Sequence, residues 1–138
     1  MKEPNIDSTA TATMVVAAAD LASTLPHREA QDTFPAVLAT ARLVALMEIA
    51  SARLLQSCLG EGEMSVGVNV DISHTAPTPE GATLTATARY VGRDDKLFVF
   101  EVSAVDAGGE VGRGRHKRAI VNAERLQNSA LRRVGAAR

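Results

Sequence analysis

The chain has 138 residues, a formal net charge of -1, 3% aromatic residues and one cysteine, Cys58. That length suits a single domain over residues 1–138, which buries about two thirds of its unfolded surface and needs no disulfide; a lone cysteine fits a reducing compartment. Without a basic excess or stacking aromatics a nucleic-acid partner is not expected. Nor does any stretch approach the about 18 apolar residues of a membrane span or the layout of a secretion signal, so a cytoplasmic protein with no membrane partner is expected.

In chain order, residues 1–9 read as loose. Residues 10–18, "ATATMVVAA", rich in Thr and Val, read as a strand. Residues 20–35 carry two prolines and polar clusters and read as a long, lid-like loop with one helical turn. Residues 36–60 are the clearest element. Their Ala, Leu and Met content favours helix, and Gly60 marks its stop. Leu43, Val44, Met47, Ala50, Ser51, Leu54, Leu55 and Cys58 share one face, widened by Leu46 and Ile49. A helix apolar around so much of its circumference is wrapped by other structure. Four strand-like runs follow, at 64–74, 83–91, 97–106 and 110–124, joined by the turn material "TPEG", "GRDDK" and "AGG". Short connections imply antiparallel hairpins. Residues after 122 suggest a short terminal helix and a loose tail over 133–138. The expected fold is α+β, a five-stranded antiparallel sheet wrapped around one long helix, with open edges that favour dimerisation.

Polar residues interrupt this apolar pattern where chemistry could use them. Glu48 lies between Met47 and Ile49, at the margin of the apolar face. It is either a solvated edge carboxylate or a desolvated one that needs a partner. His74 ends the alternating row Val66, Val68, Val70, Ile72. It points toward the helix unless a bulge, for which Gly67 is a natural place, resets the register; otherwise it is a strand-end histidine reaching solvent. Thr40, near the helix start, is an N-terminal cap or a hydroxyl for substrate. In one straight helix it stands about 12 Å along the axis from Glu48, so the two either belong to a folded-back segment or serve a site shared by two subunits. On the last strand Gly112, Gly114, His116 and Arg118 share one face, and Arg113, Arg115 and Lys117 the other. The basic trio suits phosphate contacts or the guarding of an edge strand. The three histidines lack metal-ligand spacing, and no phosphate-binding glycine loop or nucleophile elbow occurs.

The blocks "FPAVLATARLVALMEIA", "SVGVNVDISHTAPTPEG" and "GRGRHKRAIV" agree in order and spacing, over residues 34–124, with the fluoroacetyl-CoA thioesterase family of single hot-dog domains, which the chain resembles. The resemblance implies a hot-dog fold, a homodimer with sites near the subunit interface, and catalytic roles for Thr40, Glu48 and His74. It also implies substrate-binding roles for Phe34, Gly67 and Arg118. Phe34 matches one lid phenylalanine, while Gln31 stands where the family's namesake has a second. The implied reaction is hydrolysis of a short-chain acyl-CoA, with CoA entering as part of the substrate and no separate cofactor. Glu48 would be base or nucleophile, His74 a proton shuttle or orienter and Thr40 a hydroxyl donor. The alternatives are a non-catalytic acyl-CoA or acyl-carrier binding module and, behind it, a hot-dog hydratase, whose Asp-x-x-x-x-His segment is not found.

Overall fold

A computed structural model describes residues 2–135 of the chain. Strand β1 (Thr9–Val15) is followed by two short 3-10 turns, Ala18–Asp20 and Ala22–Thr24, and then by helix α1 (Thr40–Leu55). Strands β2 (Glu63–His74), β3 (Thr83–Asp94), β4 (Leu97–Asp106) and β5 (Gly109–Asn122) come next, and helix α2 (Ala123–Arg133) closes the order. All strands pair antiparallel in one five-stranded sheet of order β1-β3-β4-β5-β2. The expected architecture is therefore present.

The sheet curls around α1. Leu43, Leu46, Met47, Ala50, Ser51 and Leu55 are buried on the helix. They meet Ala12, Leu84, Ala86, Ala88, Phe100, Val102 and Ala104 of the sheet. The alanines let the helix backbone approach, and three of the four aromatics cluster on β3 and β4: Tyr90 lies 5.7 Å from Phe100 and 6.2 Å from Phe98, ring centre to ring centre. Ile49, expected to widen the apolar face, is instead 46% exposed. Helix α1 packs chiefly on β1 and β3, so the β5–β2 end of the concave face is thinly covered. The candidate site residues Gly67, His74 and Arg118 lie there.

Several boundaries differ from expectation: β1 ends at Val15 rather than 18, α1 ends at Leu55, before a 3-10 turn Gln56–Cys58, rather than at 60, and two further shifts have clear physical reasons. The helix starts at Thr40, not 36, because Leu38 bridges Leu21 and Ala39 is extended. Strand β3 runs on to Asp94, leaving Asp95 and Lys96 as the turn, with Asp95 at φ 57°. The N-terminal segment is tied to β3: Tyr90 donates to Glu3 at 2.6 Å and Arg89 pairs with Asp7. Met1 and residues 136–138, part of the tails expected to be loose, lie outside the described residues.

Strand β5 is interior, between β4 and β2, so Arg113, Arg115 and Lys117 guard no edge. They pair on the outer face with Glu110, Glu101 and Asp94. The edges are β1 and β2. Along β2, Met64, Val68 and Val70 are 59%, 49% and 45% exposed.

Candidate active site

The register of β2 decides which side chains reach the concave face. Gly67 pairs with Arg118 and Asn69 with Lys117, leaving Val68 as an extra residue. This bulge resets the alternation, so the row from Val66 to His74 is not one face. Val70, Ile72 and His74 oppose His116, Gly114 and Gly112; beyond the bulge, Gly67 and Ser65 oppose Arg118 and Ile120. All five of these β2 residues therefore share the inner face, and Val66 turns outward. His74 does point to the helix side. Gly112 is required by the close approach of β2: a Cβ there would stand 2.6 Å from the Ser73 carbonyl oxygen.

His74 meets Thr40. Its Nδ1 lies 2.8 Å from the Thr40 hydroxyl, while its Nε2 is buried and has no hydrogen-bond partner among the described residues. Thr40 is the first helical residue and not the N-cap, which is Ala39, so the first-turn amides of α1 are uncapped by any side chain. Of the two readings of Thr40, the capping one does not hold; its hydroxyl instead pairs with an imidazole at a helix N-terminus. Beside it opens a cleft of about 370 Å³ lined by Pro35, Val37, Thr40, His74, Ala76 and Pro77 among others. The loop over 20–35 is pinned to this cleft by bonds from Ala22 and Ser23 amides to the Val37 and Pro35 carbonyls. Phe34 is 52% exposed and precedes the cleft-lining Pro35 without lining the cleft itself.

Glu48 belongs to a separate cluster. Arg118 Nη1 donates to its Oε2 at 2.9 Å. Arg118 is 6% exposed, and its guanidinium also donates through Nε to Ser65 Oγ and through Nη2 to the Ser65 carbonyl, each at 3.0 Å. Gly67 lies against the same carboxylate: a Cβ there would press into Glu48 Oε2 and stand 2.9 Å from His116 Cε1. Glu48 is thus a half-exposed carboxylate with a fixed cation, not a free edge residue.

His116 completes this cluster and was given no role from sequence. Its Nδ1 lies 2.8 Å from the Asn69 carbonyl and its Nε2 3.0 Å from Arg118 Nη1. Burial pushes its pKa down, its bond to the Asn69 carbonyl opposes this, Arg118 lowers it further and Glu48 raises it. Ser65 was missed as well. The available signal for both is parity: His116 shares the face of Arg118 along β5, and Ser65 joins that face once the β2 bulge is counted.

A larger concavity, about 440 Å³, opens on the outer sheet face among Arg89, Glu101, Ser103, Arg113 and Arg115. Arg89 and Arg115 both bond Glu101, and Arg113 bonds Glu110, so its cations are already matched. No group of three or more His, Cys, Asp or Glu among the described residues is placed to hold a metal ion. No described helix is long and apolar enough to cross a membrane.

The family described as "Fluoroacetyl-CoA-specific thioesterase" matches residues 16–124. The chain belongs to that family. It is accordingly a thioesterase with the hot-dog fold. The chain is 40% identical, over 93 residues that make up 67% of each sequence, to the fluoroacetyl-CoA thioesterase of Streptantibioticus cattleyicolor. Among solved structures, a fluoroacetyl-CoA thioesterase matches at TM-score 0.88 and 32% identity, over 96% of this chain and 98% of that one. A variant of that enzyme in complex with acetyl-CoA matches at TM-score 0.86 and 32% identity, over 95% and 98%.

Proposed function

We propose that this protein hydrolyses short-chain acyl-CoA thioesters in a homodimer whose two sites each join Glu48 of one subunit to Thr40 and His74 of the other. The observation that carries this is the separation of the two clusters within one chain. Thr40 and Glu48 are about 12 Å apart along α1. His74 and Gly67, which mark the clusters on β2, stand about 20 Å apart along the strand. Neither gap closes within a subunit.

Strand β2 supplies the remedy. It is an edge strand with Met64, Val68 and Val70 exposed. Two copies pairing antiparallel about a two-fold axis at Asp71, with the bulge residue Val68 skipped, would set His74 opposite the partner subunit's Gly67, beside the partner's Glu48. The same pairing would cover the apolar edge, which otherwise invites aggregation.

The chemistry follows from the groups. Arg118 holds one Glu48 oxygen, leaving the other to act on a thioester carbonyl, either through a water or directly by way of a mixed anhydride. Water adds across the C–S bond: hydroxide to the acyl carbon, a proton to the CoA sulfur. The Thr40 hydroxyl and the uncapped first-turn amides of α1 would receive the developing oxyanion, and His74 would carry the proton. CoA enters as part of the substrate, and no cofactor takes part in these steps. A cleft of about 370 Å³ suits a small acyl group, with Phe34 and Gln31 on the loop above it. The acetyl-CoA complex of a relative supports that size class. The unpaired Cys58 suits a cytoplasmic setting.

Complementation tests the shared site. Glu48→Gln and His74→Ala homodimers should each lose kcat by orders of magnitude in a thiol-release assay. Refolded together in equal amounts, half of the dimers would be mixed, and each mixed dimer would carry one intact site. About a quarter of the wild-type activity should return. No recovery, with mixed dimers verified by mass, would refute the shared site. Acyl-CoA binding without thiol release by the wild type would refute hydrolysis. One turnover in oxygen-18 water separates the two routes, because label in the Glu48 carboxylate marks the anhydride.

A further inference from the structure

His116 is a buried histidine, 1% exposed, that the reaction as written does not use. Its two hydrogen bonds define its protonation. A carbonyl oxygen only accepts, so the nitrogen 2.8 Å from Asn69 O carries the proton. A guanidinium only donates, so the nitrogen 3.0 Å from Arg118 Nη1 is the bare acceptor. The ring is therefore the neutral Nδ1–H tautomer, with each nitrogen engaged. The acceptor lies on the very nitrogen of Arg118 that binds Glu48.

Arg118 is thus clamped from two sides. Ser65 takes its Nε and Nη2 protons, and His116 takes one from Nη1. Ser65 alone fixes the plane of the group. The His116 acceptor occupies the proton of Nη1 that points away from the carboxylate, so the other is aimed at Glu48 Oε2. Asn69, whose carbonyl orients the ring, directly follows the bulge residue Val68. The bulge thereby sets the tautomer.

We propose that His116 is a positioning residue: as a neutral Nδ1–H imidazole it holds Arg118 Nη1 on Glu48, and so fixes the direction of the carboxylate that acts on the thioester, through a water or directly. The catalytic half of this statement rests on the proposed function; the positional half does not. An imidazolium in this place would present a proton to a cation and release Nη1, so the clamp requires the neutral ring.

The experiment has two arms. Nitrogen-15 spectra of the wild-type imidazoles should show His116 as the neutral Nδ1–H form at pH 7, and the two Arg118 Nη groups as distinct, slowly rotating signals. Those signals should persist in His116→Gln, whose amide oxygen reaches the place of Nε2, and collapse in His116→Asn, whose shorter amide reaches only that of Nδ1. An Nε2–H ring, an imidazolium, or an Arg118 equally ordered in the Asn variant would overturn the clamp. The kinetic arm predicts that His116→Gln keeps kcat within about threefold. His116→Asn should lose about ten- to a hundredfold in kcat at unchanged KM, as when partners that orient reactive ligands are removed. In an Arg118→Met background the Asn change should cost nothing more, because its route of action is gone. Losses that multiply would overturn the positioning role. A wild type without thioesterase activity would refute the proposed function and leave the spectral arm to decide the clamp. Should His116→Asn fail to fold, the wild-type spectra and the Gln variant still decide it.

Discussion

Gly67→Ala probes the Glu48 cluster most directly, because the added methyl meets the carboxylate, the imidazole and the guanidinium together. Its carbon would press into Glu48 Oε2, and would stand 2.9 Å from His116 Cε1 and 3.3 Å from Arg118 Nη1. Ordinary carbon contacts begin near about 3.5 Å, so the ring must yield by about 0.6 Å and the carboxylate by more. The two neighbours yield unequally. His116 is held by Asn69 and Arg118 inside the fold, whereas Glu48 is a side-chain end that is 40% exposed. The carboxylate therefore moves, and its bond to Arg118 is lost. Overpacking costs about 1–3 kcal/mol, and the restored strand propensity of alanine over glycine returns about 0.5–1 kcal/mol. Net destabilisation of about 0–2.5 kcal/mol lowers Tm by less than about 9 °C. A reacting group displaced by about 1 Å costs about a hundredfold in rate, or about 2.7 kcal/mol of barrier. Thermal melts and thiol release, run in parallel, should thus show a folded protein with kcat down about a hundredfold. The double variant Gly67→Ala/Glu48→Ala should regain part of the lost Tm and no activity. A Gly67→Ala enzyme within threefold of wild-type kcat would refute the placement of Glu48 in catalysis.

Stability should also report on His116. Its pKa in the fold lies below the ordinary value, chiefly through burial. As pH falls, the unfolded chain takes this proton first, so the contribution is complete above about pH 6.5 and is lost as pH drops through the folded value. Urea midpoints should therefore decline from pH 7 to pH 5, and less so in His116→Gln, which has no such proton to bind; equal slopes in the two proteins would contradict the buried neutral ring. At the β2 edge, Val70→Lys would set two lysines near each other across the proposed two-fold axis. Light scattering should find monomer where the wild type is dimer, with thiol release lost in step, and an active monomer would exclude the shared site.

Local pattern made most of the fold legible. Period-two runs located all five strands, and the dense Ala, Leu and Met segment located α1. What local pattern does not carry is strand order. The basic trio of β5 looks the same whether its strand is an edge or, as here, lies between β4 and β2. The start of α1 is also hidden in the sequence, since Ala36 to Ala39 are acceptable helix residues kept out of the helix by the Leu21–Leu38 bridge. Within the site, Glu48 and His74 announced themselves as polar residues in apolar registers. His116 did not, because its face also carried two glycines whose room is taken up by the β2 backbone.

The bulge at Val68 explains how one strand serves both clusters. Strict alternation puts residues of one parity on a face, so a strand presenting Val70, Ile72 and His74 inward would turn Ser65 and Gly67 outward. Arg118 would then lose both Ser65 bonds, and Val66 would meet the Glu48 carboxylate in place of a glycine. The extra residue switches parity between Gly67 and Asn69, so odd positions below the bulge and even positions above it share the concave face. It also turns the Asn69 carbonyl to the His116 ring. The cost is an unpaired residue with an apolar side chain on an open edge, and that edge is where a second copy would supply the missing half of the site. In the proposed dimer, assembly and catalysis would thus depend on the same residues: a change that straightens β2 should disorder Arg118 and alter the β2 edge together.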